Sequence, residues 1–119
     1  MHPVVKLLTS KYHTRNPFEL AQCLGFLVIP VPLVSIRGFY QHIKRNNIIY
    51  LDNSLNEATS KFVCAHEIAH ALLHKDINRI FMDTRTLSVT SKYEMQADRF
   101  AVDLIYSDED FMEYRDCTI

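Results

Sequence analysis

Several things are scarce in this sequence, and each scarcity excludes something. Cysteine occurs three times, at Cys23, Cys64 and Cys117. An odd count without metal-type spacing supports neither a disulfide framework nor a zinc finger, and free thiols fit a reducing compartment. Glycine occurs twice in a chain that is 48% apolar, which is not the composition of a disordered or low-complexity protein. Long hydrophobic runs are missing too. The longest apolar stretch, Leu24 to Val34, is too short to span a bilayer and contains Pro30 and Pro32. Pro3, Lys6 and Lys11 interrupt any apolar segment of a signal peptide. The expectation is a soluble cytoplasmic protein with no membrane partner.

An overall basic excess is also absent, since the net charge is −1. The charge is nevertheless uneven. Residues 1–51 carry six basic side chains against one acid, a net +5, and residues 52–119 carry seven against thirteen, a net −6. Such a split can mark a basic surface for an acidic partner. The plainer reading is a solvated surface whose halves offset each other on folding. Direct nucleic-acid binding by the basic half is disfavoured, because such proteins are more often basic overall. With 119 residues, the chain fits a single domain spanning 1–119, able to bury roughly two thirds of its unfolded surface in one core.

The elements follow from pattern and punctuation. Val4, Leu7, Leu8 and Tyr12 have helical spacing. Asn16, Pro17 and Glu19 form a start signal of N-cap, first-turn proline and capping box, and Gly25 stops that helix. Phe26 to Val31 reads as a strand whose prolines point to an edge or an irregular end. Ile36 to Ile43 and Asn47 to Leu51 read as two more strands, joined by Lys44-Arg45-Asn46. Ser54 and Glu57 form a second capping box before a helix running to about His74. Lys75 to Thr90 reads as a loop with short elements. Ser91 and Glu94 form a third box, opening a helix to about Tyr106, and Ser107 to Asp110 resembles the start of a last short helix. Helices, a small three-stranded sheet, then helices predicts an α+β fold with the helices on one face of the sheet.

The chemistry concentrates in His66-Glu67-Ile68-Ala69-His70, an H-E-x-x-H motif. On a helix, His66 and His70 lie within about 40° of each other, so both imidazoles can reach one cation. Glu67 sits about 100° from His66, beside the ligands, where it can touch a metal-bound water. Cys64, about 160° away, faces the core with Ile68, Ala71 and Leu72. Ordinary core or surface histidines are the alternative reading of the pair. Catalytic zinc takes three protein ligands and leaves a position for water. Glu94 is the best third candidate, with the capping box of Ser91 as its rival role. Asp98, one turn on, can accept the second N–H of a zinc-bound histidine, or be a solvated helix acid. His74, about 80° from His66, reads as a packing or surface residue. Tyr40, Tyr50 and Tyr93 are candidates for stabilising an oxyanion, though packing is the readier role for each.

These segments resemble the ImmA/IrrE family of metallopeptidases. The resemblance rests on Phe62-Val63-Cys64-Ala65-His66-Glu67-Ile68-Ala69-His70-Ala71-Leu72-Leu73-His74 and on Glu94-Met95-Gln96-Ala97-Asp98-Arg99-Phe100-Ala101, with weaker support from Asn16 to Ala21 and Ile48 to Leu51. It covers most of residues 16 to 106. It implies a zincin-like fold, zinc ligands at His66, His70 and Glu94, and a catalytic carboxylate at Glu67. It also implies a regulatory role, since relatives on phages and mobile elements cleave helix-turn-helix repressors. Many relatives continue well beyond the Glu94 helix, and this sequence ends soon after it.

The reading is therefore a regulatory zinc endopeptidase acting on an intracellular repressor-like DNA-binding protein. By analogy with zincins, a strand near Asn47 to Leu51 pairs with the extended substrate. The alternative is a non-catalytic antirepressor that binds a transcription factor and uses the metal structurally. An intact Glu67 favours the enzyme, because a structural site has no need of that base.

Overall fold

The computed structural model describes residues 2–74 and 87–106. The chain opens with α1 (Pro3–Tyr12), in which His2 Nδ1 accepts the Val4 N–H and Pro3 fills the first turn. Its buried residues are Val5 and Leu8, three apart on one face. In α2 (Pro17–Cys23) Asn16 Oδ1 caps the Phe18 N–H at 2.9 Å. The expected capping box is not closed by Glu19. Thr14 takes its place, accepting the Asn16 N–H and donating its hydroxyl to Glu19 Oε2 at 2.6 Å. Gly25 follows with φ +77°, the left-handed value that ends the helix.

Three strands come next: β1 (Leu27–Val31), β2 (Gly38–Ile43) and β3 (Asn46–Asp52). Their spatial order is β1-β3-β2, with β1 parallel and β2 antiparallel to β3. Pro30 thus sits on an edge strand, where a missing N–H breaks no ladder. Ile43 pairs with Asn46, so the hairpin turn has two residues, Lys44 and Arg45, both at positive φ. Asn46, expected in the turn, begins β3 instead. Because β3 is the middle strand, Ile48 to Leu51 has partners on both sides and the segment offers no free edge for a substrate; this corrects the expectation drawn from the sequence.

The period-two alternation of β3 sorts its side chains. Ile49 and Leu51 are buried toward the helices, while Tyr50 stacks on Phe39 across the strand pair with ring centroids 4.5 Å apart. Covering the buried face is α3 (Glu57–Leu73). Its cap is Asn56, whose Oδ1 accepts the Thr59 N–H at 2.8 Å. Ser54, expected to cap, is two residues too early and donates its hydroxyl to Asp52.

The last described helix is α4 (Leu87–Ile105), packed along α3. It begins four residues before Ser91, so Ser91 lies inside the helix and caps nothing. The expected loop over Lys75 to Thr90 is therefore helical from Leu87, while 75–86 and the expected helix at Ser107 to Asp110 lie outside the described residues. Four fully buried alanines, Ala65 and Ala69 on α3 with Ala97 and Ala101 on α4, belong to one core with Ile68, Phe100 and Leu104. Small side chains allow packed helices to approach closely. The far end of α4 is tied down by Asp103, which accepts the His2 N–H at 2.9 Å, and by Arg15, which donates to the Asp103 and Leu104 carbonyls. The result is the expected α+β architecture of a small zincin-like domain: four described helices and a three-stranded mixed sheet.

Candidate metal centre

Two turns of helix face each other here. His66 and His70 are one turn apart on α3, and Glu94 and Asp98 are one turn apart on α4. Close packing of α3 on α4 brings the two pairs together. Glu94 Oε2 lies 2.8 Å from His66 Nε2, and Glu94 Oε1 lies 3.1 Å from His70 Nε2. The two Nε2 atoms are 3.1 Å apart. Asp98 Oδ1 lies 2.8 Å from the other nitrogen of His66, Nδ1. Freed from Ser91, the Glu94 carboxylate spans both imidazoles.

Glu67 completes the cluster from within α3. Its side chain is buried, and His66, Glu67 and His70 bring ligand-type atoms within 4.8 Å of one another. That grouping differs from the one around Glu94. With Glu94 oxygens 2.8 and 3.1 Å from the two Nε2 atoms, His66, His70 and Glu94 are three donors that could hold a cation. Two imidazoles and a carboxylate are a common catalytic zinc set, and tetrahedral bonds of about 2.0–2.1 Å put ligand atoms roughly 3.3 Å apart. The observed separations of 2.8 to 3.1 Å are within a few tenths of an ångström of that.

Electrostatics follow the geometry. Burial pulls the His66 imidazole toward neutrality, but the Glu94 hydrogen bond and charge, the Glu67 charge and the Asp98 hydrogen bond outweigh it, and the net shift is upward. Hydrogen bonds from His66 and His70 hold the Glu94 carboxyl far below the usual carboxylate range. Burial pushes the Cys64 thiol up to about 12, with the Glu67 charge adding to it. Cys64 is a core thiol on the back of the helix, with no thiolate to offer a metal or a substrate.

His74 carries more structure than its sequence position suggests. It is buried at the end of α3, its Nδ1 lies 3.0 Å from His70 Nδ1, and its Nε2 lies 2.8 Å from Gln96 Oε1. Burial, with lesser contributions from the neighbouring histidines, keeps it below its ordinary range. The sequence reading missed both His74 and Gln96 as neighbours of the site. The available signal was the i, i+4 spacing of His70 and His74.

The site opens into a cleft of about 230 Å³ whose walls include Arg37, Gly38, Phe62 and Val63. Its rim is fixed by Asp52, which donates its N–H to the Arg37 carbonyl at 2.8 Å and accepts the Leu33 N–H. The three tyrosines are used elsewhere: Tyr40 donates its hydroxyl to Asn47, Tyr50 stacks on Phe39, and Tyr93 sits edge-on to His74.

Known proteins resemble this chain in sequence. The chain is 45% identical over 112 residues to "Uncharacterized immunity region protein 2" of Bacillus phage phi105, covering 93% of this chain and 71% of that protein. It is 28% identical over 105 residues to "Metallopeptidase ImmA" of Bacillus subtilis (strain 168), covering 88% of this chain and 62% of that protein. The chain thus spans under two thirds of the length of the latter. Residues 21–116 match the peptidase family M78 profile, described as the IrrE N-terminal-like domain. That match takes in most of the chain, including both helices of the site, and the chain belongs to the ImmA/IrrE family of metallopeptidases.

Proposed function

We propose that this protein is a zinc-dependent regulatory endopeptidase. The observation that carries the reading is the Glu94 carboxylate lying against the Nε2 atoms of both His66 and His70, with the Glu67 carboxylate buried beside them. His66, His70 and Glu94 would hold the zinc, and a catalytic zinc with three protein ligands keeps a position for water. Bound zinc supplies Lewis acidity and lowers the pKa of a water at that position. Glu67 takes a proton from the attacking water and returns one to the leaving amine. Asp98 accepts the Nδ1–H of His66, which holds the ring with its Nε2 lone pair facing the site.

Substrate binding needs an extended strand beside the cleft. Among the described residues β2 pairs only with β3, so its outer side is open, and Gly38 at its start lines the cleft. An extended peptide adding to the outer side of β2 has its scissile bond carried toward Glu67. Well-folded helical domains offer no such strand, so the cut falls in a linker or a loosened helix end. The substrate class we propose is a repressor-like, helix-turn-helix DNA-binding protein in the cytoplasm. It is supported by the immunity-region name of the phage relative and the metallopeptidase name of the bacterial one. The test is co-expression with the repressor encoded beside this gene, with Glu67→Gln as control. A defined fragment formed only by the intact protein supports the reading. A repressor that stays whole yet loses DNA binding equally with both versions refutes it in favour of non-catalytic antirepression.

A further inference from the structure

Two ring nitrogens 3.0 Å apart, His70 Nδ1 and His74 Nδ1, hold one proton between them, and its direction has consequences. If His74 Nδ1 carries it, His70 accepts at Nδ1 and, when neutral, must be protonated at Nε2. That blocks the lone pair that faces His66 and Glu94. If His70 Nδ1 carries it, the Nε2 lone pair is available to a cation once the Nε2–H bond to Glu94 Oε1 seen in the metal-free protein has given way. The other nitrogen of His74 selects between these states. His74 Nε2 lies 2.8 Å from Gln96 Oε1, an amide oxygen that only accepts. A neutral His74 that donates from Nε2 to this oxygen has its Nδ1 as an acceptor, and His70 must then donate.

We infer that His74 and Gln96 are positioning residues: a relay from the Gln96 amide oxygen through His74 fixes His70 in the Nδ1–H form, with Nε2 presented to the metal. The inference rests on the zinc reading above. It extends that reading to a chain of contacts reaching from α3 back to α4. His66 and His70 are thereby served by different partners of the same helix: a carboxylate, Asp98, for the first, and an amide acting through a second imidazole for the second. The surroundings suit the role. His74 is 6% exposed and its ring is held edge-on by Tyr93 with centroids 4.7 Å apart. A reversed proton or a rotated ring there would leave a polar atom without its partner in a buried place.

The experiment combines zinc affinity with imidazole nitrogen spectroscopy. Zinc affinity is measured by chelator competition for the intact protein, His74→Phe, His74→Asn and Gln96→Leu. His74→Phe keeps a ring but removes the acceptor, and about 10–100-fold weaker binding is expected. His74→Asn restores an acceptor near the position of Nδ1 and should recover much of that loss. Gln96→Leu, at an exposed position, should weaken binding without unfolding the chain. In the zinc-loaded intact protein, long-range proton–nitrogen spectra should show His74 protonated at Nε2 and unprotonated at Nδ1. A proton on His74 Nδ1, or unchanged affinity in both Gln96→Leu and a folded His74→Phe, overturns the relay while leaving the zinc reading intact. An intact protein that binds no zinc overturns both.

Discussion

Glu94 bridges His66 and His70 from the neighbouring helix, with one carboxylate oxygen 2.8 Å from the first Nε2 and the other 3.1 Å from the second. The contact joins two helices that sequence separates by a stretch of residues outside the described structure. Their alignment rests on the alanine-lined packing of α3 on α4 and on the anchoring of α4 by His2 and Arg15. The site is thus a product of helix packing, and the strands supply its rim.

Metal stoichiometry tests the donor set most directly. The purified protein should hold about one zinc per chain. His70→Ala should lose most of it, and His66→Ala/His70→Ala essentially all, because two nitrogen donors cannot be replaced by the remaining carboxylates at comparable affinity. Tight zinc retention by the double variant, measured by elemental analysis after dialysis, would show that the metal lies elsewhere.

Glu67→Gln separates chemistry from binding. The amide is nearly isosteric, so zinc content and melting temperature should stay close to those of the intact protein. Cleavage should fall by at least about 100-fold, because an amide cannot take the proton of the attacking water. Cleavage of the natural substrate at the native rate would remove Glu67 from the mechanism.

Asp98→Asn should lower zinc affinity or turnover about 10–100-fold without unfolding the chain. Asp98 Oδ1 accepts from His66 Nδ1 at 2.8 Å, and an asparagine can turn its NH2 toward that nitrogen and favour the wrong tautomer. Unchanged affinity and turnover would return Asp98 to the solvated acid that half of its surface resembles.

Opposite pH dependences are expected with and without metal. In the metal-free protein the His66 pKa is raised, so its contribution to stability is full below about pH 6.5, the ordinary histidine value, and fades as pH rises through the raised one. The Glu94 pKa is lowered, so its contribution is present above the ordinary carboxylate range and is lost on acidification. Chelated protein should therefore melt highest in the mildly acidic window between. Zinc needs His66 unprotonated, so the extra stability from zinc should grow with pH through the same transition. Melting curves with excess zinc and with excess chelator, from about pH 5 to pH 8, read both slopes. A zinc increment that shrinks as pH rises would contradict the assignment of His66.

Local patterns were legible in the sequence where a few adjacent residues decide the outcome. Asn16 with Pro17 fixes the start of α2, and the spacing of His66 and His70 puts both on one face of α3. Caps were less legible. Ser54 and Asn56 are both good N-cap residues, and only the path of the chain after β3 selects Asn56. Ser91 with Glu94 has the letters of a capping box, yet the helix starts at Leu87, so the same glutamate is free to face the histidines. Strand order was not legible, because three short apolar runs with one tight turn fix the β2–β3 hairpin and leave the place of β1 open. The position of β1 beside β3 is what leaves β2, and not β3, as an edge strand among the described residues. For His74 the angle from His66 says little, and its one-turn spacing from His70 is the informative relation.

Gly38 is where the sheet meets the site, and its substitution tests that junction. A Cβ built on Gly38 would lie 2.7 Å from the Tyr50 carbonyl oxygen and 2.8 Å from Val63 Cγ1. The first is backbone of the central strand, and the second lies on α3 nearly one turn before His66, so neither yields by a simple rotamer change. Gly38→Ala must push β2 away from α3 or strain it, at a cost of about 1–3 kcal/mol by analogy with overpacked cores. Gly25 offers the contrast. Nothing lies within 4 Å of a Cβ there, and the penalty comes from its φ of +77° alone, roughly 1 kcal/mol for a left-handed alanine. Both variants should lower the melting temperature. Only Gly38→Ala should also damage the cleft, because Gly38 and Val63 line it. With the natural substrate, Gly38→Ala should raise KM at least several-fold while zinc affinity stays near native, since His66, His70 and Glu94 are joined across α3 and α4. Gly25→Ala should leave KM unchanged at temperatures where it is folded. Equal KM values for the two variants would mean that the start of β2 does not guide the substrate, and the open edge would lose its proposed role.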